Sequence, residues 1–143
     1  MSDQNKAAAR RFFELWESGN ADQFDEVVAA DAVDHDPQRP FPDDRGAEAA
    51  RKTADMFMAA FPDTTYTIEQ QVAEGDLVVT RWIARGTHEG ELMGIPATQK
   101  SVEVSGIAID RFSDGKIVES WGNWDTIGLM QQLGAIPAPA ETT

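Results

Sequence analysis

Cysteine is absent from the 143 residues, so neither a disulfide nor a thiolate metal site can contribute to fold or chemistry. Basic residues are scarce: 12 Lys and Arg stand against 25 Asp and Glu, a formal charge of -13. Phosphate backbones call for clustered Lys and Arg, so nucleic acid and anionic membrane are not expected partners. No stretch approaches the ~18 apolar residues that a membrane span needs. The N-terminus, MSDQNKAAARRFFELW, also lacks a basic region followed by an apolar run. The expectation is a cytoplasmic protein kept soluble by an acidic, self-repelling surface spread along the chain.

What is present suffices for one core: 41% of the residues are hydrophobic, in a chain long enough for one domain and short for two. Residues 1–136 are read as that domain, and 137–143, with two prolines and no periodicity, as an extended tail. Ala8, Phe12, Leu15 and Trp16 recur at helical spacing from Gln4 to Glu17, with Gly19 as a stop. Asp22 caps a short second helix through Phe24, Val27 and Val28, and a proline-rich loop follows. A third helix runs from Gly46 to Ala60, ended by Pro62.

Beyond Pro62 the period becomes alternating. Thr65 to Ala73, Leu77 to Gly86, Ser101 to Phe112 and Lys116 to Asp125 read as four strands, and a short strand near Ala32 to His35 adds an edge. Helices first and neighbouring strands afterwards mean α+β, with a mostly antiparallel sheet over a layer of helices. Counting by twos from Asp125 puts Asn123, Trp121 and Glu119 on one sheet face. With Ser113-Asp114-Gly115 as a three-residue hairpin loop, Ile109 opposes Glu119 and Ile107 opposes Trp121, so Ile107, Ile109 and Arg111 join that face. A two-residue loop would bring Gly106, Ala108 and Asp110 there instead.

The segments GTHEGELMGIPATQK and DRFSDGKIVESWGNWD followed by LMQQLG, with FPD at 61–63 and VDHDP at 33–37, resemble the SnoaL-like polyketide cyclases. The resemblance implies the cone-shaped α+β barrel of the nuclear transport factor 2-like superfamily: a strongly curved sheet packed on three N-terminal helices around one internal pocket. It further implies a homodimer through the outer sheet face, and intramolecular aldol ring closure without metal or organic cofactor. In such cyclases an aspartate at the position of Asp125 is the acid/base. Arg111 and Ile109 stand where characterised members carry a histidine and a glutamine, and Asn123 where they carry a second histidine.

One carboxyl can take a proton next to a carbonyl and later return one, and an apolar surround raises its pKa towards working pH. Trp121, Ile107 and Ile109 are expected to supply that surround for Asp125, and Asn123, Arg111 or His35 to assist it. The competing role of Asp125 is a helix cap before Thr126. His35, between Asp34 and Asp36, is read as a polar group at the pocket mouth. No metal site is expected, because successive residues of an extended segment point to opposite sides and the only other histidine is His88. His88 lies in the glycine-rich loop, as structure or as a ligand contact. Phe13 and Trp16 would close the pocket from the first helix and Trp82 would add to its wall, while Trp124, opposite Trp121, is left for a dimer interface.

Two functions compete. One is an enzyme acting next to a carbonyl on a small hydrophobic cyclic molecule, with an isomerase or hydrolase as variants. The other is a domain that binds such a molecule and turns nothing over.

Overall fold

A computed structural model describes residues 2–137; of the expected tail, all but Pro137 lies outside the described residues. Helix α1, Ser2–Ser18, ends at Gly19, whose φ of +75° few other residues adopt. The expected second helix is a six-residue 3₁₀ turn, Ala21–Glu26. It stops there because the β-branched Val28 already opens strand β1, Val28–Asp34. Helix α2, Gly46–Ala60, then crosses back over the sheet with Ala47, Ala54 and Ala60 buried, small side chains that let it approach closely.

Strands β2 (Thr65–Glu74), β3 (Leu77–Thr87), β4 (Ser101–Ser113) and β5 (Lys116–Trp124) form antiparallel neighbours, and β1 adds to β5 in parallel. The sheet order is β1-β5-β4-β3-β2, an open, mixed five-stranded sheet. A final helix, α3, spans Thr126–Leu133. The three N-terminal helical segments and the curved α+β architecture match the fold read from the sequence.

The β4–β5 hairpin departs from the expected register. Asp114 and Gly115 both have positive φ, 52° and 79°, which makes a two-residue turn with Ser113 opposite Lys116. A bulge then shifts the pairing, so that Arg111 opposes Glu119, Ile109 opposes Trp121 and Ile107 opposes Asn123. The short turn inverts the parity and the bulge restores it. The expected face-sharing set thus survives with partners two residues away from those anticipated.

Two apolar clusters hold the helices to the sheet. Leu15, Phe24, Val27, Val78, Phe112 and Ile117 form one; Ala60, Phe61, Leu92, Val102, Leu129 and Leu133 form the other. Complete burial of a side chain such as Leu15 or Phe24 stabilises the fold by roughly 2–3 kcal/mol each. Asp63 fastens the far end of β3, its carboxylate accepting from Thr87 N and Oγ1 at 2.7 and 2.8 Å. This accounts for the FPD motif structurally.

Candidate active site

Which sheet face meets the helices is settled by two tryptophans. Gly106 has no side chain, and a Cβ there would collide with the indole of Trp82 and stand 2.9 Å from the Cβ of Trp124. Both rings therefore lie on the face of Gly106. Trp82 packs against Phe13 of α1 and Trp124 against Phe57 of α2, with ring centroids 6.2 and 6.0 Å apart. By alternation, Ala108 and Asp110 on β4 and Ser120 and Gly122 on β5 share this concave face.

Between the concave face and the helices lies a cavity of about 250 Å³ that touches both apolar clusters. Phe12, Phe13 and Trp16 of α1, Phe57 of α2, and Tyr66, Trp82 and Trp124 of the sheet form its aromatic wall. Phe13, Trp16 and Trp82 are thus where the sequence placed them. Trp16 Nε1 is buried without a hydrogen-bond partner among the described residues, leaving a donor in that wall. The Tyr66 hydroxyl is pushed well above its ordinary pKa by burial, with the Glu17 carboxylate adding to the effect.

One side of the cavity is acidic. Asp110, 6% exposed, is paired across the sheet with Ser120, which is in turn paired with Asp34 at the end of β1. Asp36 follows two residues on and also borders the cavity. The Asp34 carboxylate accepts from Asp36 N at 2.9 Å, and Asp36 Oδ1 accepts from Gln38 N at 2.8 Å. Asp36 Oδ2 stands 3.8 Å from where a Cβ of Gly122 would be. Small residues at 120 and 122 leave the floor on which these carboxyls sit.

Burial pushes the Asp110 carboxyl up to about 7, and the negative charge of Asp34 adds to this; among the described residues no hydrogen bond counters it. Asp36 is also raised, by burial first and by Asp34 next, while the Gln38 N–H and the Arg39 guanidinium act in the opposite sense. Among the described residues no group of three or more His, Asp or Glu is arranged to hold a metal ion.

Several expected site residues are elsewhere. Asp125 is exposed and does not border the cavity. Its Oδ1 accepts from Gly128 N at 2.8 Å, so it caps α3. Trp124, left for a dimer interface in the sequence reading, has taken the last inward place on β5 and packs against Phe57 in the cavity wall. Ile107, Trp121 and Asn123 line the cavity as expected, though by alternation they belong to the opposite strand face from Asp110, as do Ile109 and Arg111, which do not line it.

Trp121 is in contact with the His35 ring, stacked at 5.3 Å, and with the Arg111 guanidinium, 5.5 Å from the Trp121 ring centroid. Glu119 ties the two together, 2.8 Å from His35 Nε2 and 2.9 Å from Arg111. His35 is therefore part of a convex-face cluster rather than the pocket mouth. His88 is fully buried outside the cavity. Its Nδ1 accepts from Thr98 N at 3.2 Å and its ring stacks on Phe61 at 5.3 Å, which orders the loop before β4.

The sequence reading missed Asp110, Asp34 and Asp36. Two signals pointed to them. Asp110 is an acid placed directly after the apolar run Gly106 to Ile109, and in Asp34-His35-Asp36 the alternation that separates His35 from its neighbours puts both aspartates on one side.

Comparison with known proteins agrees with this fold. The profile of the family described as SnoaL-like polyketide cyclase matches residues 6–133. Aklanonic acid methyl ester cyclase DnrD of Streptomyces peucetius is 29% identical over 131 residues, 87% of each chain. IdmH of Streptomyces antibioticus, proposed to be a polyketide cyclase, is 35% identical, with a TM-score of 0.81 over 92% of this chain and 99% of its own. A proposed polyketide cyclase from Acidithiobacillus ferrooxidans is 30% identical, with a TM-score of 0.82 over 94% of this chain and 97% of its own.

Proposed function

The chain belongs to the SnoaL-like polyketide cyclase family, and on that premise we propose that it is an acid/base enzyme of the cyclase type. Its reaction is aldol-type ring closure, or a related proton transfer, next to a carbonyl of a small hydrophobic cyclic substrate. The observation that carries this reading is the carboxyl of Asp110 in the wall of a largely aromatic cavity. A passive apolar binding site gains nothing from a buried carboxyl, which costs free energy to desolvate, whereas proton transfer needs one with a pKa near working pH. We further propose that it acts in the cytoplasm as a homodimer through the convex face, where Val72 and Ile107 are 54% and 49% exposed.

Proton transfer is tested before the natural substrate is known. The protein is incubated in D2O with polyketide-derived β-dicarbonyl esters, beginning with the methyl ester for which the Streptomyces peucetius relative is named. Mass spectrometry follows both deuterium uptake next to the carbonyl and loss of water or ring closure. Catalysed uptake above the buffer rate supports the enzyme. Saturable binding of the same esters with no uptake and no product would instead identify a ligand-binding domain.

A further inference from the structure

We propose that Asp36 and Asp110 are the reacting pair of the cavity: Asp36 takes the proton from the carbon next to a carbonyl, and Asp110, as a neutral acid, donates a hydrogen bond to the oxygen on which charge develops. This rests on the acid/base reading of the cavity and divides the work between two carboxyls that the sequence had not marked as reacting groups.

The geometry supplies the division. Asp110 is deep on β4, flanked across the sheet by Val78 and Ser120, and no hydrogen bond from the described residues reaches its carboxyl. Its proton is free to point into the cavity. Asp36 is half-buried and more exposed than Asp110, with one oxygen held by the Gln38 N–H and the other near Gly122. The other charged or titratable groups bordering the cavity are Asp34 beside both carboxyls, Arg39, Asp44 and Arg45 after β1, Tyr66 on β2 and Arg85 on β3; α1 contributes only aromatic side chains. Burial and Asp34 favour the protonated form of both carboxyls, but only on Asp36 do the Gln38 N–H and the Arg39 guanidinium oppose them. Carboxyls with such different surroundings take opposite roles in proton chemistry.

The steps balance. The Asp36 carboxylate removes the proton and becomes the acid, and the C–H electron pair becomes that of an enolate whose oxygen accepts the hydrogen bond from Asp110. The enolate carbon attacks a second carbonyl carbon of the same molecule and forms the ring bond, and the resulting alkoxide takes the proton back from Asp36. Asp110 keeps its own proton throughout.

The test compares wild type with Asp110→Asn, Asp110→Leu and Asp36→Asn. Deuterium uptake and kcat are measured from pH 5 to 9, with melting temperatures as a folding control. Wild type should lose activity as pH rises past about 7, where Asp110 ionises. Asp110→Asn still donates a hydrogen bond, so it should keep kcat within about tenfold and lose the alkaline decline. Asp110→Leu should lower kcat by about 10²–10³ with KM little changed. Asp36→Asn should abolish uptake. A fully active Asp110→Leu, an alkaline decline that survives in Asp110→Asn, or an active Asp36→Asn would overturn the assignment while leaving the enzyme intact. Carboxyl ¹³C NMR needs no substrate: one resonance titrating near pH 7 in wild type and missing in Asp110→Asn is expected, and its absence from wild type overturns the role of Asp110. If wild type itself promotes no uptake, the acid/base reading fails instead.

Discussion

Asp110 should leave a mark on stability as well as on turnover. In the folded chain it holds its proton up to about pH 7, whereas the ordinary value is 3.8. Because the folded-state pKa is raised, the folded form binds more protons than the unfolded form between these values, and stability falls as pH rises through that window. The loss is complete above the folded value and amounts to about 4 kcal/mol at most. Asp110→Asn removes the titration. Urea denaturation from pH 4 to 8 should show the variant gaining on wild type across that interval, and parallel curves would mean that Asp110 ionises normally. This residue was legible as an acid among apolar neighbours on β4. Its burial was not, because alternation says which residues share a face and not which face is covered.

The junction of β5 and α3 explains the displacement of Asp125. A strand that ends inward on Trp124 must turn its next residue away from the cavity, and α3 begins there with its first amide groups unpaired. Asp125 supplies an acceptor to Gly128 N. Asp125→Ala should cost about 1 kcal/mol, the usual loss for an N-cap, with turnover unchanged. Thermal melts and turnover measured together decide this: a fall in turnover by about two orders of magnitude at an unaltered melting temperature would return Asp125 to the chemistry. The strand and helix bounds themselves were readable within a few residues, since period and turn residues act locally. The bulge in β5 was not readable, because no local rule marks where a strand yields one residue to keep its face buried.

At the scale of the whole molecule, the sheet has one face closed by helices and one left open. The open face carries Val72, Val79, Ile83, Ile107, Ile109 and Trp121 among its side chains, an apolar band crossing four strands. Under the homodimer proposal, Val72→Lys places a charge in that band at an exposed position away from the cavity and should convert a dimer into a monomer by light scattering, with little change in deuterium uptake. A wild-type monomer at micromolar concentration would remove the proposal. The sequence by itself determined the fold class, the five strands, both long helices and the family, because periodicity, turn chemistry and motif spacing are properties of neighbouring residues. Only the tertiary structure decided that the motif-bearing face of β5 looks outward, that Asp125 caps a helix, and that Asp34, Asp36 and Asp110 meet in one cavity. Those outcomes depend on which side of the sheet the helices cover and on contacts between positions more than 70 residues apart, which no local pattern encodes.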